Sequence, residues 1–224
     1  EGMVALAEEK GVKFEYNQAV TNIVIPKDSI KEVKTVNGTF QADAVVAGAD
    51  YHHVDQELLA PKNRQYSEKY WDKRTMAPSS LLFYLGVNKK LKNLLHHNLF
   101  FDKDFKQHAH EIYEDAKWPS EPLFYVCVSS KSDDTTAPEG SENVFVLIPL
   151  APDLEDTEAL REKYYNMVME RLEDLTGQSI RDAVIYKRSY AHKDFKSDYN
   201  AFKGNAYGLA NTLRQTAFLK PKLK

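Results

Sequence analysis

The sequence predicts an α/β (α+β) chain in two parts, and three observations predict it. Short runs of alternating or continuous apolar residues, the pattern of strands, recur along the chain and crowd the region after residue 79. One stretch, residues 157–176, carries apolar residues at helical spacing throughout. Near the start, Ala44-Val45-Val46-Ala47 forms a compact apolar run that stops at Gly48-Ala49-Asp50, as a strand buried on both faces of a parallel sheet would.

Taken in order, Met3, Val4, Leu6 and Ala7 give a first helix one apolar face, and Gly11 is placed to end it in the left-handed conformation. Val12, Phe14 and Tyr16 alternate as a strand. Val20, Ile23 and Ile25 suggest a second, closed by Pro26-Lys27-Asp28-Ser29, and residues 30–36 a third. Asn37-Gly38 predicts a type I′ hairpin turn, in which both central residues take positive φ. Residues 39–42 then run back and feed the strand at 44–47. Residues 52–78 are polar, broken by Pro61 and Pro78, and read as a short helix and a crossover.

The second part opens with strands at 79–87 and 96–101 and a helix at 104–116. Strands at 122–130 and 142–150 flank the turn-rich SKSDDTTAPEGS, so they are expected to pair antiparallel in a mixed or antiparallel sheet. In the helix at 157–176, Leu160, Tyr164, Met167, Val168, Leu172 and Leu175 make the apolar stripe, Thr157 caps the start and Gly177 the end. A last strand is expected over 180–190.

Composition excludes several classes of function. A net charge of −3, with no basic stripe, argues against a nucleic-acid binder held by phosphate contacts. The single cysteine, Cys127, excludes an internal disulfide, fits a reducing compartment and reads as a packed core thiol. No run approaches the roughly 18 apolar residues of a membrane span. The chain opens on Glu1 inside a helical pattern and stops on KPKLK, and is expected to be an interior piece of a longer protein.

Chemical motifs are sparse. None of the nine glycines forms GxG, so a Rossmann phosphate loop is absent, as are a P-loop and GxSxG. His52-His53 and His96-His97, as strand neighbours, are expected to point to opposite sides. His108 and His110 would stand about 200° apart on a helix. No metal site is therefore expected. Asp133-Asp134 and Glu155-Asp156 read as solvated loop and helix-start carboxylates. Aromatic strands carrying Phe83, Tyr84, Phe124, Tyr125 and Phe145 suit either an apolar cavity or ordinary core. Small residues at Ala47, Gly48 and Ala49 admit a flat ligand to the backbone or a closely packed helix.

The segments NLLHHNLFF and PLFYVCVSSKSDDTTAPEGSENVFVLIPLAP, with Ala137-Pro138-x-Gly140 and Pro149, resemble the bacterial and fungal phytoene desaturase family of flavin-dependent carotenoid desaturases. His192-x-Asp194-Phe195, Asn200-Ala201, Gly204-x-Ala206-Tyr207, Gln215 and Lys220-Pro221 continue the resemblance, the family usually having Arg-Pro at the last. The block from Val20 through ADAVVAGAD is similar to the adenine side of the same two-domain flavoprotein fold.

That resemblance implies an incomplete FAD-binding domain over residues 1–55, a substrate-binding domain over 56–203 and a return segment over 204–224. It implies FAD in the complete protein but little or no binding by this piece. The backbone of Val20 would meet the adenine, and Ala47, Gly48 and Ala49 would pack near the adenosine, although the family more often has Asn at the position of Gly48. Gly204, Asn205, Ala206 and Tyr207 would lie on the approach to the flavin ring, and Phe83, Phe124 and Tyr207 would wall a hydrophobic polyene. No catalytic residue is assigned. The implied reaction moves a hydride from the polyene to the flavin and a proton from the neighbouring carbon, adding a double bond to a precursor such as phytoene. An insoluble substrate implies a cytoplasmic protein held peripherally on a membrane, and the basic tail Lys220, Lys222 and Lys224 is a weak sign of it. Carotenoid isomerases, oxygenases and amine oxidases share the fold. A lipid-binding or interaction module without flavin chemistry is the alternative from another class. Nothing in the sequence indicates an oligomeric state.

Overall fold

The computed structural model describes residues 1–26 and 31–222. The chain forms two compact units, Glu1–Asp72 and Lys73–Lys224. The expected turn residues Lys27, Asp28 and Ser29, the strand residue Ile30 and the terminal Lys224 lie outside the described residues.

In the first unit, helix α1 (Gly2–Glu9) ends at Gly11, whose φ of +84° is the left-handed C′ geometry, with the Val12 N–H donating to the Ala7 carbonyl. Strands β1 (Val20–Val24), β2 (Lys31–Thr35) and β3 (Thr39–Ala42) form an antiparallel meander in that spatial order. The β2–β3 hairpin forms, but neither Asn37 nor Gly38 has positive φ. The Thr35 hydroxyl accepts from the Asn37 and Gly38 N–H groups at 3.3 and 3.1 Å, and the Asn37 amide donates to the Asn17 carbonyl at 3.0 Å. Side-chain bonds thus close the turn without the mirror-image backbone of type I′.

Two expected strands do not form. Residues 12–16 are irregular, with Tyr16 71% exposed, and residues 44–48 are irregular with Val46 96% exposed. The alternating or apolar pattern is there, but no described strand offers either stretch a ladder, and an unpaired strand leaves its backbone to water. The apolar core of this unit is instead Ile23, Val54, Leu58 and Leu59. It is built where α2 (Tyr51–His53) runs on into a π-helical turn over Val54–Leu58. Trp71 of α3 (Glu68–Asp72), only 1% exposed, donates its indole N–H to the wholly buried Asp55 at 3.0 Å, with Tyr51, Tyr66 and Tyr70 ringed around it.

The second unit is a five-stranded sheet, order β5-β6-β7-β4-β8, with every neighbouring pair antiparallel. The strands are β4 (Ser79–Val87), β5 (His97–Phe100), β6 (Phe124–Cys127), β7 (Glu142–Leu150) and β8 (Val184–Tyr190); helix α4 (Phe105–Tyr113) falls between β5 and β6 in sequence. Helix α5 (Glu158–Thr176) lies between β7 and β8, and α6 (His192–Tyr199) follows β8. The last strand starts later than expected because residues 181–183 make a 3-10 turn.

Alternation sorts the sheet into two faces. Leu81, Phe83 and Leu85 of β4 and Val144, Val146 and Ile148 of β7 are buried and pack with Tyr164, Val168, Met169 and Leu172 of α5. Thr157 caps α5, its hydroxyl accepting from the Leu160 N–H at 3.2 Å, and Gly177 ends it at φ +65°. The helix is rotated from the expected stripe: Leu175 is 49% exposed, while Arg161, Tyr165 and Met169 are buried.

Candidate functional site

On the opposite face of the sheet, α4 packs toward Tyr125 and Leu147, and Tyr84 is partly exposed among the described residues. Register places Tyr84 opposite Phe145, Leu82 opposite Leu147, Tyr125 opposite Leu147 and Cys127 opposite Phe145, all on this side. Tyr84 and Phe145 have ring centroids 5.3 Å apart and Tyr125 and Phe145 6.3 Å apart, so a band of aromatic rings crosses three strands. Tyr84 is 41% exposed and Phe145 half-buried. Two hollows open on the band. One, of about 340 Å³, is lined by Tyr84, Tyr186, Arg188 and Tyr190. The other, of about 220 Å³, runs between α4 and the sheet, with Leu99, Phe101, Phe105, Ile112 and Leu147 among its walls. Ligand pockets that enclose a drug-sized molecule span roughly 300–1,000 Å³.

Helix α4 is held onto this face by His108, which is 3% exposed. Its Nε2 meets the Pro149 carbonyl at 3.1 Å and its Nδ1 accepts from the Leu123 N–H at 3.0 Å, which requires the neutral ring with the proton on Nε2. Burial lowers its pKa and keeps it in that form. Nearby, burial would raise the Glu111 carboxyl, but bonds from the Ser120 hydroxyl and N–H outweigh it and the pKa falls below the usual range.

The expected wall residues separate. Phe83 is 2% exposed on the helix-covered face, against Tyr165 with centroids 5.4 Å apart. Phe124 lines the α4 hollow yet is 3% exposed, stacked on Phe100 at 4.7 Å. Tyr207 is 69% exposed. Gly204 and Ala206 belong to a return segment bound to the entry of β4: the Ser79 hydroxyl donates to the Gly204 carbonyl at 2.5 Å, and the Ala206 N–H to the Pro78 carbonyl at 3.2 Å. Gly204 is required there twice over, by φ +62° and because a Cβ would sit 3.0 Å from the His192 backbone. The Gln215 side chain closes the crossing, accepting from the Thr75 N–H and donating to the Thr75 and Ala210 carbonyls at 3.0, 2.8 and 3.1 Å.

In the first unit, Val20 opens β1 at a bulge and is 37% exposed. Ala47, Gly48 and Ala49 lie exposed in the irregular stretch, and a Cβ at Gly48 would meet nothing within 4 Å. The buried strand expected to present them is absent among the described residues.

Three groups escaped the sequence reading. Asp156, read as a helix-start carboxylate, is 4% exposed and paired with Arg161 through two bonds of 2.7 Å. Arg161 also reaches Asp194 at 2.7 Å, which ties α5 to α6. Burial would raise the Asp156 carboxyl, but Arg161 and the Lys193 N–H hold it below the ordinary range. The Trp71–Asp55 cluster had one signal, an indole in a polar stretch, since tryptophan seldom stands fully in water. Finally, His96 and His97 do not diverge: their ring centroids are 4.2 Å apart. His96 precedes β5, so strand alternation does not govern it. Cys127 lies beside them, half-buried on the aromatic face and outside the core.

A family model described as flavin containing amine oxidoreductase matches residues 3–224. Over 222 residues the chain is 44% identical to the carotenoid 3,4-desaturase of Haloarcula japonica, an alignment covering 99% of this chain and 45% of that protein. It is 32% identical to a 4,4'-diapophytoene desaturase (4,4'-diaponeurosporene-forming) of Staphylococcus haemolyticus, over 99% of this chain and 46% of that one. Among solved structures, an oxidoreductase from Methanosarcina mazei superposes with a TM-score of 0.54 at 14% identity, over 84% of this chain and 40% of its own, a likeness of fold. The chain thus spans about half the length of the curated relatives it matches.

Proposed function

The chain belongs to the flavin-containing amine oxidoreductase family and is a homologue of carotenoid desaturases, and from that premise we propose that a protein of the relatives' full length introduces double bonds into a carotenoid precursor such as phytoene with FAD as oxidant. The observation that carries this is the aromatic strip across the sheet. Tyr84, Phe145 and Tyr125 make a continuous apolar strip with a hollow at either side. A polyene offers no hydrogen-bonding groups, so a flat surface of rings orients it by apolar contact and keeps water from it.

The residues proposed for the adenosine end, Val20, Ala47, Gly48 and Ala49, make no cradle for FAD here, and the sequence has no dinucleotide loop. The redox chemistry would come from the flavin in the full-length protein. This chain's share is the surface that binds the hydrocarbon, with Gly204, Ala206 and Tyr207 proposed to border the approach to the reacting carbons. Phe83 and Phe124 support that surface from beneath.

An insoluble substrate must arrive from lipid. No helix among the described residues is long and apolar enough to cross a membrane. Exposed Leu99, Phe101 and Phe105 line the α4 hollow, at 67, 58 and 62% exposure, and suit a peripheral seat on the cytoplasmic side of a bilayer.

The test uses protein expressed at full length, loaded with FAD and given phytoene in liposomes. The expected result is a red shift of polyene absorption as conjugation lengthens. The unassembled 44–49 stretch favours a second reading, a lipid-binding module. Such a protein would take up the polyene and leave its spectrum unchanged.

A further inference from the structure

On the same face, at the end of the sheet, three metal-ligating side chains converge. His97 and Cys127 are direct cross-strand partners on β5 and β6, so their side chains emerge on one side. His96 folds back from the preceding loop onto His97. One donor atom from each of the three lies within 4.8 Å of the others. Each imidazole already has one nitrogen oriented by a hydroxyl: His96 Nδ1 by Ser132 at 2.5 Å and His97 Nδ1 by Tyr125 at 2.6 Å. Such outer partners fix ring orientation at metal-binding histidines.

We propose that His96, His97 and Cys127 bind a zinc-class divalent cation, with water completing a tetrahedral shell. Two imidazoles and a thiolate match a borderline-soft ion better than magnesium or calcium, which take oxygen ligands. Bonds of about 2.0–2.1 Å to nitrogen and 2.3 Å to sulfur bring tetrahedral donors within roughly 3.5 Å of one another. The three donors lie within 4.8 Å of one another, at most about 1 Å wider than that. Side-chain rotation that carries the Ser132 and Tyr125 hydroxyls along with the rings would cover that difference, since His97 is exposed and His96 and Cys127 are half-buried. The ion would clip β5, a four-residue strand at the edge of the sheet, to its neighbour β6. This assignment does not depend on any reaction with a polyene, and its readout is metal content.

Full-length protein, stripped with chelator and dialysed against zinc, is assayed by elemental analysis beside Cys127→Ser, His97→Ala and, as a control, His110→Ala, which alters an exposed histidine elsewhere. The expected result is one zinc per chain in the parent and in His110→Ala, and loss of that zinc in the other two. Cobalt titration of the parent, which needs no variant to fold, should give a thiolate-to-cobalt charge-transfer band. No stoichiometric zinc in the parent, equal zinc in all variants, or cobalt uptake without that band would each overturn the proposal.

Discussion

Arg161 holds two carboxylates at once, Asp156 within its own neighbourhood and Asp194 at the start of α6, and is itself nearly out of water. Asp194 also accepts from the Ala191 N–H at 2.8 Å, so one guanidinium fixes a helix start. Replacing it with methionine leaves two acids facing an apolar stem. Arg161→Met is expected to lose about 3–5 kcal/mol, read by urea denaturation. His108 and His192 set the pH behaviour. Both are buried, burial lowers both pKa values, and His192 donates from Nε2 to the Ala151 carbonyl at 2.8 Å while its Nδ1 has no hydrogen-bond partner among the described residues. Unfolded chains take up protons on these rings as pH falls through about 6.5, while the folded rings stay neutral to lower pH. Stability is therefore full above the ordinary histidine range and declines as pH drops below it. Thermal melts across that window should show the decline, and His108→Gln should flatten part of it.

Elements whose stability is local could be read from sequence. Thr157 and Gly177 bound α5 as expected, because capping uses only neighbouring backbone. Gly177→Ala keeps the helix but forces alanine into the left-handed region, and should cost about 1–2 kcal/mol in chemical denaturation. Strands β6 and β7 were legible from alternation, since each buries every second residue, and β4 from its continuous apolar run. Helix α6 was not, because its start depends on Arg161, more than thirty residues away in sequence. Residues 44–47 were misread for the converse reason: an apolar run becomes a strand only when something pairs with it. The His96–His97 cluster was missed because alternation was applied one residue beyond the strand that obeys it.

The molecule as a whole divides its labour by unit. Lys73–Lys224 carries a five-stranded sheet, a core and a covering helix, with a band of aromatic rings on the other face. Glu1–Asp72 carries a meander and a small core, with an apolar stretch that finds no partner among the described residues. On the proposed function the aromatic face meets the hydrocarbon, and Phe145, between Tyr84 and Tyr125, sits at its centre. The direct measurement is the kcat/KM of full-length Phe145→Ser for phytoene in liposomes, with its melting temperature recorded in parallel. Loss of one large apolar contact should lower kcat/KM by roughly tenfold or more while the melt shows a folded protein. An unchanged kcat/KM would mean that the polyene binds elsewhere and would contradict the assignment of this face.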